Sequence, residues 1–347
     1  MTFDQLLREC RILQKIASHL DYPKISSDTK KIVDTFQQNA WKLTQKKVTA
    51  GFDGFVDTLA KVFRNKHPNG SHSYFANTAE FSRYITEKAN SSFSLELEEL
   101  SVRFGGNMPL MSHAMGELGL QVSCIGAMGF PDLHPSFHNL SPNCRTFSYG
   151  NPGLSTALEF NNGKIMLAQM SALNQLGWKQ IKDAVGIDKI IDLYASADCF
   201  CFLNWSELDK SSETWDGILK EVLPSITSVG KDRTAFFDLS DCSKKSDNEI
   251  LEAINRLSSF RKSCKVILSC NANEIRMIYA ALLGKTAPDN VVELLHQLYS
   301  KIEPDILVMH QSSQALAVGS AGIHRQPSFY VQSPAISTGA GDHFNAG

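Results

Sequence analysis

Apolar residues recur along this chain in two alternating rhythms, and their order predicts the architecture. Short continuous runs of strand type lie at residues 47–52, 122–125, 199–203, 235–237, 266–268 and 306–309. Between them the apolar positions repeat every three or four residues, as at Leu110, Met111, Ala114, Met115 and Leu118, and again over 250–260 and 291–302. Strand and helix taken in turn predict an α/β fold, a mainly parallel central sheet with helices on both faces. Two stretches follow a different rhythm, of period two. Phe93, Leu95, Leu97, Leu100 and Val102 alternate at the end of a polar region, and 146–170 alternates around Asn161-Asn162-Gly163-Lys164, a hairpin signal. Residues 1–46 carry helical faces, Leu6, Leu7, Ile12, Leu13 and Ile16 on one and Ile32, Val33 and Phe36 on another, and form an N-terminal helical extension before the domain at 47–347. A last short strand is expected at 329–332, with a turn at Pro334.

Composition narrows the class. Of 347 residues 43% are hydrophobic and 20% charged, enough to bury a substantial core, and the net charge is −2 with no Lys/Arg-rich run. That balance argues against nucleic acid and anionic membrane as partners. No apolar stretch reaches membrane-spanning length. The eight cysteines are scattered without a Cys-x-x-Cys pair, as expected for buried thiols in a reducing, cytoplasmic compartment.

The candidate chemistry is concentrated at the C-terminal end. In Gly339-Ala340-Gly341-Asp342-His343-Phe344-Asn345-Ala346-Gly347, small residues before a helix start leave backbone N–H groups free to face an anion, with one carboxylate beside them. Asp342 is then either a helix cap or a general base. Far upstream, Arg103-Phe104-Gly105-Gly106-Asn107-Met108-Pro109 is a glycine-pair loop opening a helix, with Gly119 as its stop before the strand at 122–125. Asp53 and Asp57 follow the first strand, and Asn271-Ala272-Asn273-Glu274 follows the strand at 266–268. Asn271 and Glu274 also have the spacing of a capping box. Asp238 ends another strand and is a neighbour of any such site.

Together these segments resemble the PfkB/ribokinase family of carbohydrate kinases, with both of the family's signatures present in the right order. The resemblance implies ATP-dependent phosphorylation of a hydroxyl on a sugar or sugar-like alcohol, Asp342 being the base and the amides of Gly339, Ala340 and Gly341 an anion hole. It implies sugar contacts from Asp57, with Asp53 as competitor, and from Gly105, Gly106 and Asn107. It further implies Mg²⁺ organised through water by Asn271 and Glu274, a β lid over the sugar formed by about 59–104 and 146–170, and possible homodimers through that lid. A nucleoside kinase of the same fold and a catalytically silent sugar-binding protein are the alternatives. No strand is followed by Gly-x-Gly-x-x-Gly, which argues against a dinucleotide-dependent oxidoreductase.

The chain also departs from the family's pattern. Ile336-Ser337-Thr338 lacks the carboxylate that contributes to a monovalent-cation site in related kinases. The residues 310–315, His-Gln-Ser-Ser-Gln-Ala, replace a glycine-containing nucleotide loop, and Leu110 stands where a second amide is expected. Family members continue past the C-terminal signature, so the chain is expected to be a fragment of a longer protein.

Overall fold

The computed structural model describes residues 31, 34–35, 37–66, 70–226, 232–328 and 339–347. In order come β1 (Lys47–Phe52), β2 (Phe55–Lys66), β3 (His72–Tyr74), α1 (Thr78–Glu87), β4 (Leu97–Gly105), α2 (Asn107–Glu117), β5 (Gln121–Gly126), β6 (Cys144–Ser148), β7 (Gly153–Phe160) and β8 (Gly163–Gln169). They are followed by α3 (Trp178–Val185), α4 (Ile187–Ser196), β9 (Cys199–Leu203), α5 (Ser211–Gly217), β10 (Thr234–Asp238), α6 (Asp247–Phe260), β11 (Lys265–Asn271), α7 (Ala272–Leu283) and α8 (Val291–Ile302). The strands β12 (Ile306–Gln311), β13 (Gln314–Gly319) and β14 (Gly322–Pro327) precede α9 (Ala340–Ala346).

Nine strands make one sheet in the order β14-β13-β12-β11-β10-β9-β1-β5-β6. Its centre is parallel, from β6 through β12, and antiparallel β13 and β14 finish one edge. The central strands are apolar throughout because both faces are covered, as helix-flanked parallel sheets require. Phe202 and Phe237, neighbours across β9 and β10, stack with centroids 4.8 Å apart in one of the two main cores. The other core lies under α2, where Met108, Met111 and Met115 meet Val48, Val122 and Cys124.

The parallel register brings the carboxyl ends of several strands into one row. β1 runs out into Asp53, β9 into Asn204, and β10 ends on Asp238; Asn271 and His310 are paired across β11 and β12. In open α/β sheets, ligands bind outside those ends.

A second, five-stranded sheet stands apart, ordered β3-β2-β7-β8 with β4 also paired to β2. It has a small core of its own, in which Phe81 of α1 meets Ala60, Val62, Leu158 and Phe160. The hairpin at Asn161-Asn162 joins β7 to β8, with Phe160 opposite Gly163. Two expectations need correction. Residues 146–148, assigned to the lid, belong instead to β6 and pair with β5 at the edge of the large sheet. Period-two alternation identifies a half-covered strand without saying which sheet it joins. The polar region also contains α1, whose single fully buried side chain, Phe81, is too sparse a pattern to announce a helix; Asn77 caps it by accepting from the Glu80 N–H at 2.8 Å.

Residues 40–45 form a 3-10 helix. The helical faces expected at Leu6–Ile16 and at Ile32, Val33 and Phe36, the strand at 329–332, Pro334 and residues 336–338 lie outside the described residues.

Candidate active site

The helix α9 starts from Gly339, whose φ of 83° lies in the left-handed region that favours glycine. Its first turn presents Gly341 and Asp342 to a cavity of about 320 Å³. Asn345 anchors the helix, donating from Nδ2 to Asp238 Oδ2 at 2.7 Å and accepting from Ser269 Oγ at 2.7 Å. Nothing in the sequence marked Asn345; its only signal was its place inside the terminal signature. Leu110 packs beneath this loop, its Cδ1 only 3.1 Å from where a side chain on Gly339 would begin. The apolar residue that replaces an expected amide thus supports the turn from below.

Asp342 is 8% exposed, and burial, reinforced by the charges of Asp238 and Asp53, pushes its carboxyl up to about 8. Its own N–H and the side-chain amide of Asn107 act in the opposite direction by binding the ionised form. Across the cavity stand Asp238, pushed up to about 6, and Glu274, pushed up to about 7, both mainly by burial. His310 closes another side, with its ring 4.8 Å from Phe344 and its pKa lowered by burial. Asn204, Glu207, Ser240 and Asp241 complete the lining. From the sequence His310 is legible only as a loop substitution and Ser240 and Asp241 only as neighbours of Asp238, while Asn204 and Glu207 stand in no motif.

No lysine or arginine lines this cavity among the described residues. Lys244 pairs with Glu207 at 2.7 Å, whereas Asp238, Glu274 and Asp342 have no ion pair among the described residues.

The expected residues fall into groups. Asn107, Gly341, Asp342, Asn271 and Glu274 share the cavity wall. Asn271 and Glu274 realise the capping box in full: the Asn271 N–H donates to Glu274 Oε2 at 2.8 Å, and Asn271 Oδ1 accepts from the Glu274 N–H at 3.0 Å. Gly105 and Asp57 are not on that wall but meet each other. An added Cβ on Gly105 would stand 2.1 Å from Asp57 Oδ2, so the glycine makes room for a half-buried carboxylate whose pKa burial raises. Gly106, with φ of 93°, passes close over Asp53, and an added Cβ there would be 2.5 Å from Asp53 Oδ2. Asp53 itself is fully buried and faces the protein. It accepts from the Asn107 N–H at 2.8 Å, the Met108 N–H at 2.8 Å and Asn204 Nδ2 at 2.7 Å.

A model of the prokaryotic ketohexokinase family matches residues 25–347. The chain belongs to the prokaryotic ketohexokinase family. Ketohexokinase from Haloferax volcanii is 25% identical over 303 residues, which span 87% of this chain and 80% of that protein. Among solved structures, ribokinase from Thermotoga maritima superposes with a TM-score of 0.54 at 15% identity, over 87% of this chain and 83% of that one. Ribokinase of Arabidopsis thaliana, solved with ribose and ATP, gives 0.55 at 13% identity over the same shares. These likenesses show a ribokinase-like fold, and the family match makes this ketohexokinase-family protein a carbohydrate kinase.

Proposed function

We propose that the protein transfers the terminal phosphoryl group of ATP to a hydroxyl of a ketohexose, with Asp342 taking the hydroxyl proton. The supporting observation is the position of Asp342: buried, on the wall of the one cavity that also holds Asn107, Asp238 and Glu274, with its pKa raised to about 8. A base whose pKa lies near working pH combines a usable ionised fraction with a strong pull on the proton. Asp57 and the Gly105-Gly106-Asn107 loop hold the sugar, since a carboxylate accepts from two hydroxyls at once and the glycines let hydroxyls reach the backbone. The amides of Gly339, Ala340 and Gly341 face the transferring phosphoryl from the positive end of α9.

Mg²⁺ would be held through its waters by Asn271 and Glu274, which share the cavity wall, because among the described residues no three His, Cys, Asp or Glu side chains stand close enough together to grip an ion directly. When bound, Mg²⁺ supplies the positive charge that the nucleotide phosphates need. Asn271, locked into the cap of α7, holds Glu274 toward that charge. The five-stranded sheet acts as a lid that excludes water during transfer. A cytoplasmic setting suits the seven free cysteines among the described residues, where in addition no helix is long and apolar enough to cross a membrane.

The lid also offers a surface for pairing two copies. Val102, Leu154 and Leu167 are 39%, 43% and 52% exposed. They share one face, because Val102 and Thr156 are both opposite Thr58, and Leu167 is opposite Thr156.

The test is ADP release from Asp342→Asn over a panel of ketohexoses, aldoses and nucleosides. A drop in kcat of about 10²- to 10⁴-fold with sugar affinity retained is expected. Phosphorylation at the wild-type rate removes Asp342 from the mechanism, and a preference for nucleosides replaces the substrate class.

A further inference from the structure

Among the described residues, α2 begins without a side-chain cap of its own: its N-cap is Gly106, which has none to offer. The first helical N–H groups are instead satisfied from another strand. Asp53, just past β1, accepts from Asn107 N–H and Met108 N–H, one on each carboxylate oxygen. A third donor, Asn204 Nδ2, comes from the end of β9. Asn204 is 2% exposed, sits at a left-handed φ of 57°, and its Oδ1 has no partner. A buried amide that leaves half of itself unsatisfied is costly. Its one hydrogen bond, to Asp53, is therefore what its side chain contributes to the fold. The other side of Asn107 carries the arrangement onward, since Asn107 lines the same cavity as Asp342.

We infer that Asn204 and Asp53 are positioning residues for the transfer reaction: a buried pair at the ends of β9 and β1 that fixes the start of α2 and so holds the Asn107 amide against Asp342. This rests on the reading of Asp342 as the base. The route runs from Asn204 Nδ2 to Asp53, from Asp53 to the Asn107 N–H, and from Asn107 to the cavity wall that it shares with Asp342. Glycine at 106 is part of it, because any side chain there would displace the Asp53 carboxylate. The ionisation of Asp342 also feels the charge of Asp238 from β10 and of Asp53. Glu274 from α7, Asp241 and Glu207 from the loops, and His310 from β12 share its cavity, and His343 is on its own helix. Asn107 is the donor side chain that lowers its pKa.

The experiment is a double-mutant cycle between Asn204→Ala and Asn107→Ala, read as kcat/KM for the sugar against pH at saturating ATP. Each single variant is expected to lose about 10- to 100-fold, the scale of a small misplacement at a reacting centre. Each is also expected to move the acid limb of the profile to higher pH, because ionised Asp342 has lost its amide donor. The double variant should then lose little more than either single one. Independent, multiplying losses, or an acid limb that Asn204→Ala leaves in place while Asn107→Ala shifts it, would overturn the inference. Should Asn204→Ala not fold, Asp53→Asn takes its place and is read through the coupling in kcat/KM alone, since removing the Asp53 charge by itself lowers the Asp342 pKa. Sugar affinity of the cycle built on Asp342→Asn separates the two proposals. Coupling between 204 and 107 that persists there supports the positioning route whatever Asp342 does, and its absence in an otherwise inactive Asp342→Asn background refutes the route alone.

Discussion

At the scale of single residues, the site is defined by acids that the fold holds away from water. Asp53, Asp238, Glu274 and Asp342 are all pushed above their ordinary range, to about 6, 6, 7 and 8. A carboxyl whose pKa is higher folded than unfolded binds its proton more tightly in the native state. Its contribution therefore favours the fold at low pH, fully below the unfolded value near 4, and is lost as pH rises through the folded value. For Asp342 that window runs from about 4 to about 8. The group proposed to do the chemistry is thus one that the fold holds least comfortably once it is ionised. Asp342→Asn cannot ionise, so its melting temperature should exceed that of the wild type, by a gap that widens between pH 5 and pH 9. Thermal melts at both pH values measure this. A gap that stays constant or narrows would mean that Asp342 is not buried as an acid.

At the scale of elements, the important contacts are those that join pieces far apart in the chain. β2 and β4 come together so that Asp57 is opposite Arg103 and Phe55 opposite Gly105, which places the Asp57 carboxylate where only a glycine fits. Gly105→Ala would put a methyl group 2.1 Å from Asp57 Oδ2, so the carboxylate must swing away. KM for the sugar is expected to rise about tenfold or more while nucleotide affinity stays the same, as measured by steady-state kinetics with each substrate varied in turn. An unchanged KM for the sugar would separate Asp57 from sugar binding. Elements of this kind were legible where one local rule was enough. The strands at 47–52 and 199–203 and the helix 291–302 follow their apolar rhythm, and Asn271 with Glu274 follows cap spacing. Asp53 was not legible in the same way. From sequence it was a competitor of Asp57 for the sugar, since both are acids after a strand. Only the third dimension shows that its acceptors are taken by Asn107, Met108 and Asn204. The same holds for His310 and Asn204, which reach the cavity through sheet order rather than through any motif.

For the whole molecule, the open question is how a thin second sheet survives beside a large one. Part of its apolar face is covered: one end by α1 through Phe81, the other by contact of Val56 and Phe104 with the core around Phe137. Between those ends Val102, Leu154 and Leu167 face outward from β4, β7 and β8. Exposed apolar side chains sharing one sheet face, here with Thr58 and Thr156 between Val102 and Leu167, are the kind of surface that pairing of two copies would cover. A two-fold contact would set the same patch against itself, so one substitution is felt twice. Leu167→Lys places a charge at the β8 edge of that face in each copy, and like charges brought together across a two-fold contact disfavour the pair. The wild type is expected to sediment as a dimer and Leu167→Lys as a monomer at the same micromolar concentration. Because Leu167 is absent from the cavity wall, the variant should still phosphorylate sugar, with any loss confined to the lid's grip on it and so to KM. A wild type that sediments as a monomer, or a Leu167→Lys protein that remains dimeric, would show that the exposed stripe does not pair.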